Sequence, residues 1–275
     1  MTTFSVARTN ELRLTRRSAM SSIPTKQRFS LENQVAFITG ANSGIGYAIA
    51  SLFSASGAKL ALFDRDPQML ETAEALAVPA QPALALIGDV CNTADVQKAV
   101  KIAHKHFGRI DILINNAGIG PLRPSEEMPD DLWDKTIAVN LRGPFVVARE
   151  IGNIMIAQKR GKIVHVASQA SVVAIEGHVA YCASKAGLVG LSKVQALEWG
   201  KYNINVNCVS PTVVLTELGS VAWGGEKGNE LRKQVPIGRF AEPHEIAASV
   251  AFLASDAADM ITGENLMIDG GYTIH

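Results

Sequence analysis

A tyrosine and a lysine lie four positions apart in the stretch AYCASKAG, residues 180–187. Positions i and i+4 of a helix share a face, so the side chains of Tyr181 and Lys185 are expected to point the same way. A free phenol has a pKa near ~10 and is a poor base at neutral pH, but a neighbouring ammonium group favours the phenolate and lowers that pKa. The pair therefore suits general acid–base chemistry, in which a proton is exchanged with an alcohol. The same spacing is common on solvated helix faces, so only the surrounding motifs can show whether this pair is catalytic.

A glycine-rich turn, TGANSGIG at residues 39–46, follows a short apolar run and precedes a helical pattern. Its three glycines would let the backbone turn tightly and approach a pyrophosphate, whose negative charge is favoured by the free N–H groups of a helix N-terminus. The spacing is G-x3-G-x-G rather than the G-x-G-x-x-G of the commonest dinucleotide fingerprint. We predict a dinucleotide site here. The predicted cofactor-binding residues of the turn are Gly40, Asn42, Ser43, Gly44, Ile45 and Gly46.

The second predicted strand ends at Asp64, about as far beyond the glycine turn as a ribose-binding carboxylate lies in such sites. A carboxylate there accepts hydrogen bonds from the adenosine ribose and repels a 2′-phosphate, which favours NAD. Arg65 keeps NADP open as the second choice, because a guanidinium can pair with that phosphate. The alternative for Asp64 is a plain turn residue before Pro67. Later strand ends would line the same crevice and add as cofactor contacts Asp89, Val90, Asn116, Ala117 and Gly118.

Apolar runs alternate with helical patterns from residue 34 onward. The predicted strands are 34–40, 59–64, 83–90, 110–118, 162–168, 204–211 and 265–271. The predicted helices are 46–57, 67–77, 93–108, 131–158 and one that contains Tyr181 and runs to about residue 202. We expect Thr93 to cap the third helix and Gly143-Pro144 to break the fourth. The alternation predicts an α/β fold, a single-domain, Rossmann-type doubly wound parallel sheet of about seven strands with helices on both faces.

Residues 1–30 differ from the rest, because they hold six basic residues against one acid and are rich in Ser and Thr. We expect a disordered N-terminal extension, with an organelle transit signal as the alternative. Residues 31–275 then form the dinucleotide-binding domain. Within it the Gly-rich stretch 212–240 lacks strong periodicity. A long irregular segment in a compact α/β domain is usually a lid over a binding site, and we predict one here.

The overall composition excludes several classes of protein. The 275 residues carry a formal net charge of zero, which gives no reason to expect nucleic acid or an anionic membrane as partner. No apolar run reaches the ~18 residues of a membrane span. The three cysteines are an odd number without C-x-x-C spacing, so neither a disulfide framework nor a metal site is predicted. We expect a cytoplasmic protein that binds a small-molecule substrate.

Together the motifs resemble the classical short-chain dehydrogenases/reductases. The matching positions, in family order and spacing, are TGANSGIG at 39–46, NNAG at 115–118, Asn140, Ser168, Tyr181 and Lys185. The resemblance covers the chain from about residue 32 to the end. It implies that Tyr181 is the general acid/base and that Ser168 holds the substrate oxygen. It also implies that Lys185 binds the nicotinamide ribose and depresses the pKa of the tyrosine, and that Asn140 holds a water of a proton relay.

The chain departs from the family pattern after the sixth predicted strand, where Thr212 replaces the glycine of the usual Pro-Gly. Pro211, Val214 and Thr216 still match the segment that meets the nicotinamide end. This segment, with WGGEKG and PIGRFAEPHEIA after it, is similar to the sugar-alcohol branch of the family. The substrate-binding candidates are Ser168, Gln169, His178, Tyr181, Glu217 and Trp223. The alternative for His178 is a histidine in a surface loop, and the alternative for Trp223 is a side chain that only packs within the lid.

We therefore predict an NAD-dependent dehydrogenase that oxidises a secondary alcohol, most simply a short sugar alcohol to a ketose, for example D-threitol to erythrulose. A reductase that uses NADPH on a 3-oxoacyl or other carbonyl compound is the alternative among enzymes. A dinucleotide-binding sensor or scaffold without turnover is the alternative outside them. The resemblance also implies a homo-oligomer, a tetramer or a dimer, formed through the helices that hold Asn140 and Tyr181.

Overall fold

A parallel sheet forms the centre of the molecule. The computed structural model describes residues 28–78, 83–217, 219 and 223–274. In those ranges the strands are β1 Val35–Thr39, β2 Lys59–Asp64, β3 Ala83–Ile87, β4 Ile112–Asn115, β5 Gly161–Val166, β6 Ile204–Pro211 and β7 Asn265–Ile268. They lie in the order β3-β2-β1-β4-β5-β6-β7, and every neighbouring pair is parallel. The predicted fold class is confirmed.

The winding direction of the sheet reverses between β1 and β4. The chain passes from β1 through β2 to the β3 edge, then returns to place β4 beside β1 and continues towards β7. In open α/β sheets ligands bind at such a switch point, in the crevice outside the carboxyl ends of the strands. The glycine turn follows β1 and residues 116–118 follow β4, so both predicted motifs border this crevice.

Helices cover both faces of the sheet. In the described ranges they are α1 Gly44–Ala55, α2 Met69–Leu76, α3 Thr93–Phe107, α4 Asp130–Ile137, α5 Gly143–Gln158, α6 Val179–Trp199, α7 Gly225–Gln234 and α8 Pro243–Ala254. Neighbouring residues of β1 point to opposite faces. Ile38 belongs to one core cluster with Ile49 and Ile246, whereas Phe37 belongs to a second with Val147. Because both faces are buried, each central strand is an unbroken apolar run rather than an alternating one.

The long helical region before β5 is interrupted by a π-helical turn. α4 ends at Ile137, the π turn covers Ala138–Arg142, and α5 begins at Gly143. The predicted break at Gly143-Pro144 is therefore wrong, since both residues lie in the first turn of α5. The Gly143 N–H donates to the Ala138 carbonyl and closes the π turn, whereas Pro144 has no N–H to donate. π turns occur frequently at functional sites, and this one carries Asn140.

Two further features, the cap of α3 and the structure of the lid segment, differ from the sequence-based predictions. The N-cap of α3 is Asn92, whose side chain accepts a hydrogen bond from the Ala94 N–H at 3.0 Å, so Thr93 is the first helical residue. The predicted irregular lid contains the ten-residue helix α7. That helix escaped prediction because its sequence, GEKGNELRKQ, lacks an apolar stripe. The base of the lid is closed by backbone hydrogen bonds between residues 213–215 and Ala241.

Most of the predicted N-terminal extension, residues 1–27, lies outside the described residues. Its proposed disorder and the transit-signal alternative stay predictions. The first described residues contact the domain, since the centre of the Phe29 ring lies 6.3 Å from that of Phe252 on α8. None of the helices in the described ranges combines the length and the apolar character needed to traverse a bilayer.

Candidate active site

Tyr181 and Lys185 lie one turn apart near the start of α6, as predicted. The Lys185 Nζ is 5.6 Å from the centroid of the Tyr181 ring. The Lys185 side chain is buried, and its Nζ donates a hydrogen bond of 2.8 Å to the carbonyl of Val166 at the end of β5. Burial lowers the pKa of Lys185 to about 8. The amino group is therefore fixed at the carboxyl edge of the sheet. Without a cofactor, the buried surroundings disfavour its charged form.

Ser168 follows β5 and caps a short 3-10 turn, Gln169–Ser171. Its Oγ accepts a hydrogen bond from the Ala170 N–H at 3.2 Å. Burial raises the pKa of Tyr181, and the nearby Ser168 hydroxyl opposes this rise. In the protein alone, desolvation of the phenolate is the largest effect on this pKa, and the expectation that Lys185 depresses it stays a prediction.

Asn140 ties the end of β4 to α6. Its Oδ1 accepts a hydrogen bond from the Ile119 N–H at 2.9 Å, and its Nδ2 donates to the Ile119 carbonyl at 2.8 Å. The same Nδ2 donates to Ser184 Oγ at 3.1 Å, and that hydroxyl donates to the Tyr181 carbonyl at 2.7 Å. Sequence reasoning missed Ser184 as a site residue, although it stands directly before Lys185. The π turn is thus tied through Ser184 to the turn of α6 that carries Tyr181 and Lys185.

The glycine turn packs directly against the segment after β4. The backbone N–H groups of Asn116 and Ala117 donate to Thr39 Oγ1 at 3.0 and 3.1 Å, and Asn116 Nδ2 donates to the Gly40 carbonyl at 2.8 Å. A Cβ on Gly40, whose φ is +63°, would lie 2.8 Å from the Ala117 Cα, and one on Gly46 would overlap the Gly40 carbonyl oxygen. Only glycine fits at either position. Thr39, the first letter of the motif, is a further site residue that sequence reasoning did not single out.

The start of α1 has the features of an anion site. Ser43 is its N-cap but makes no side-chain capping bond, and within this described helix the first turn contains no acidic residue. The first N–H groups therefore keep their hydrogen-bonding capacity and the positive end of the helix dipole. A close backbone approach, required glycines and uncapped N–H groups together fit the pyrophosphate of a dinucleotide.

The carboxylate of Asp64 lies against the glycine turn. Its Oδ2 accepts a hydrogen bond from the Asn42 N–H at 3.1 Å, and its Oδ1 accepts one from the Asp66 N–H at 3.1 Å. Thr72 of α2 donates to the Asn42 side chain at 2.6 Å and so fixes the turn from outside. No pattern in the sequence had marked Thr72. Each Asp64 oxygen has remaining lone pairs for ribose hydroxyls, while the Arg65 side chain is exposed.

The two predicted contacts after β3 differ in character. Asp89 is partly exposed, and its Oδ1 accepts a hydrogen bond from the Cys91 N–H at 2.8 Å. The Val90 side chain is buried in the core, where a Cβ on Gly143 would come within 3.1 Å of it. Any contact of Val90 with a cofactor would therefore have to come from its backbone.

The segment around the end of β6 reaches the glycine turn. Pro211 and Val214 are buried. The Thr216 Cγ2 lies 3.2 Å from where a Cβ on Gly44 would stand, so this segment meets the glycine turn directly. Thr212, the departure from Pro-Gly, is also buried, and its Oγ1 has no hydrogen-bond partner among the described residues.

Comparison with known proteins identifies the family. A family profile described as "Enoyl-(Acyl carrier protein) reductase" matches residues 40–273. The chain is 50% identical over 248 residues to the "NAD-dependent glycerol dehydrogenase" of Listeria innocua, which covers 90% of this chain and 96% of the relative. It is 52% identical over 252 residues to the "D-threitol dehydrogenase" of Mycolicibacterium smegmatis, with 90% and 95% covered. The chain belongs to the short-chain dehydrogenase/reductase family.

Solved structures agree with this assignment. The crystal structure of levodione reductase matches the dehydrogenase with a TM-score of 0.85 at 35% identity, over 88% of this chain and 98% of that one. The predicted family and enzyme class are confirmed, and NAD as the cofactor is supported by the relative that is named for it. The roles of individual residues stay predictions.

The segment predicted as a lid meets the loop before α6 beside Tyr181. The rings of His178 and Trp223 stack at 6.2 Å with an interplanar angle of 10°, and the His178 ring lies 6.0 Å from that of Tyr181. Nδ1 of His178 is 2.8 Å from the Glu176 carbonyl. His178 is 8% exposed, so it is not the surface-loop histidine of the alternative interpretation. Glu217, by contrast, is exposed.

Proposed function

We propose that the dehydrogenase oxidises a short polyol to the corresponding ketose with NAD, with D-threitol to erythrulose as the example we favour. The observation that carries the substrate class is Gln169. Its Oε1 is buried beside Ser168 and has no hydrogen-bond partner among the described residues. A buried polar atom without a partner is unfavourable, and a second hydroxyl on the substrate would satisfy it. The names of the two relatives at 50% and 52% identity support the same class.

The residues around Tyr181 divide the work of the reaction. Tyr181 takes the proton of the reacting hydroxyl, and Ser168 holds the oxygen through its own hydroxyl. Bound NAD supplies the hydride acceptor. Burial raises the pKa of Tyr181, and Ser168 lowers it. The positive charge of Lys185, whose Nζ lies 5.6 Å from the centre of the Tyr181 ring, favours the phenolate further. Asn140 holds the relay that returns the proton to solvent.

His178 and Trp223 complete the substrate pocket in this proposal. A carbonyl only accepts hydrogen bonds, so the His178 Nδ1 carries a proton and donates it to the backbone carbonyl of Glu176. In the neutral ring Nε2 is then an acceptor, suited to a substrate hydroxyl. Trp223, stacked on the same ring, orients it and brings the lid to the pocket. A site that pairs several hydroxyls discriminates strongly against alcohols that lack them.

We further propose that the dehydrogenase is a cytoplasmic homo-oligomer, a tetramer or a dimer. Phe145 on α5 is 41% exposed, and Val194 and Leu197 on α6 are 54% and 84% exposed. Exposed apolar side chains on neighbouring helices are typical of protein–protein contacts. The three cysteines are free, which suits a reducing compartment.

The decisive experiment measures NADH formation by the purified protein across glycerol and C4 to C6 polyols, with NAD and NADP in parallel. Turnover of one or two polyols with NAD alone is expected. Tyr181→Phe should bind NAD normally and lose turnover, which separates an enzyme from a sensor. Silence with every polyol, together with NADPH oxidation in the presence of a 3-oxoacyl substrate, would replace this proposal with the carbonyl-reductase alternative.

A further inference from the structure

Hydrogen bonds among three polar side chains connect the turn Gln169–Ser171 to strands β6 and β7. Ser171 Oγ lies 3.3 Å from Ser210 Oγ on β6, and Ser210 Oγ donates to Asn265 Oδ1 on β7 at 2.6 Å. Asn265 Nδ2 closes the ring by donating to Ser171 Oγ at 3.4 Å. Ser210 is fully buried, and the other two are partly buried. These three residues are called the serine–asparagine ring below.

The donors and acceptors fix the direction of every bond in the ring. Ser210 has a single hydroxyl proton, and it is given to Asn265. The Ser171 hydroxyl must therefore donate to Ser210, and it accepts from the Asn265 amide. Each hydroxyl is a donor and an acceptor at once, an arrangement in which neighbouring hydrogen bonds strengthen one another.

We propose that Ser171, Ser210 and Asn265 are positioning residues for the acid–base site, acting through the turn that carries Ser168 and Gln169. The turn is only three residues long, and Ser168 is its N-cap. Its far end, Ser171, is fixed to two strands by the ring. A turn held at one end only would let the Ser168 hydroxyl move away from the Tyr181 hydroxyl.

Loss of the ring has a consequence that a merely structural role would not have. The nearby Ser168 hydroxyl lowers the pKa of Tyr181, so a displaced Ser168 raises that pKa further. Alcohol oxidation uses the phenolate, and its rate rises with pH through the ionisation of Tyr181. The profile should therefore move to higher pH. Among the described residues the titratable groups that face Tyr181 are Lys185, Cys182 and His178, and the variants below change none of them.

The test compares Ser171→Ala and Ser210→Ala, each of which removes two of the three bonds, with Ser171→Thr, which keeps the hydroxyl at a partly exposed position. Ser54→Ala is the matched control, because it removes a buried serine hydroxyl bound to the Leu76 carbonyl at 2.7 Å, away from the site. Phenolate absorbance is titrated with pH without substrate, and the curve of Tyr181→Phe is subtracted. kcat is then followed against pH with the polyol that the parent oxidises.

In both alanine variants the Tyr181 midpoint should rise by about 0.5–1 pH unit and kcat should fall about tenfold, with the KM for NAD within about twofold of the parent. Ser171→Thr and Ser54→Ala should match the parent. Unchanged midpoints in the alanine variants, an equal shift in Ser54→Ala, or a Ser171→Thr as impaired as Ser171→Ala would each overturn the proposal. If Ser210→Ala does not fold, Ser171→Ala decides. The catalytic consequence rests on the proposed function, but the absorbance titration does not, so a failed polyol assay and a failed ring are distinguishable.

Discussion

At the scale of single residues, Lys185 combines a useful position with an unfavourable charge. Its Nζ is buried and has one carbonyl partner, and burial lowers its pKa to about 8 from a usual value of 10.5. Below pH 8 the folded chain must bury a charge that the unfolded chain keeps in water. Active sites often contain such groups, because function and stability place opposite demands on them.

Lys185→Met should therefore stabilise the cofactor-free protein by about 1–2 kcal/mol near pH 7 while abolishing turnover. The folded-state pKa is lowered, so the destabilising effect of the lysine is fully present below pH 8 and is relieved as the pH rises towards 10.5. The advantage of the variant should shrink accordingly between about pH 8 and 10.5, as measured by urea unfolding. Lys193→Met, at an exposed position of the same helix, should gain nothing. A Lys185→Met protein less stable than the parent at pH 7 would contradict this account.

Asp64 provides a second test at this scale, on cofactor choice. Asp64→Asn keeps an oxygen for the Asn42 N–H and removes the negative charge that a 2′-phosphate would meet. The ratio of kcat/KM with NAD to that with NADP should fall about 100-fold, because like charges in contact are unfavourable by several kcal/mol. Asp66→Asn, two residues further on, should leave the ratio unchanged. An unaltered ratio in Asp64→Asn would remove this carboxylate from the selection of NAD.

At the scale of elements, apolar runs and glycine turns made most strands and helices predictable, because buried parallel strands leave a continuous apolar signature. The failures have specific causes. Asn92 and Thr93 are both good N-caps, and only the hydrogen bond to Ala94 decides between them. The π turn that presents Asn140 depends on contacts with Ile119 and Ser184, which are distant in sequence. Helix α7 has a single apolar side chain, Leu231, which packs against Val213 and Phe240 and leaves no periodic signal in the sequence.

The position of α7 can be tested through Gly228, which is buried in that helix. A Cβ there would overlap the backbone carbonyl of Trp223, so Gly228→Ala must shift the lid relative to its tryptophan. The KM for the polyol should rise about tenfold, while the KM for NAD stays within about twofold, because the glycine turn is untouched. Steady-state kinetics with each substrate varied separately gives both values. Asn229→Ala, exposed on the same helix, is the control, and equal effects of the two variants would disprove a specific role for the lid.

At the scale of the whole molecule, the parallel sheet explains why residues far apart in sequence share one edge. β1, β4, β5 and β6 end side by side, and each is followed by a segment of the site. That much follows from the order of motifs along the chain. The serine–asparagine ring does not, because its members are separated by 39, 55 and 94 residues and their contacts leave no pattern in the sequence. The ring, helix α7 and the π turn all depend on tertiary contacts, so sequence patterns that indicate residue types cannot show them.

The proposed oligomer belongs to this scale as well, because a second copy of the chain would cover the apolar side chains that are exposed on α5 and α6. If α5 and α6 pack against a second copy of the chain, a charge at Leu197, now 84% exposed, would be buried in the contact. Leu197→Glu should then convert the parent tetramer or dimer to a smaller species and lower its Tm by several degrees, because an unpaired buried carboxylate is strongly unfavourable. Light scattering on a sizing column gives the mass. Leu70→Glu, at a position 60% exposed on α2, should keep the parent mass. A monomeric parent, or a Leu197→Glu protein of unchanged mass and Tm, would show that this face of α6 is not the contact between copies.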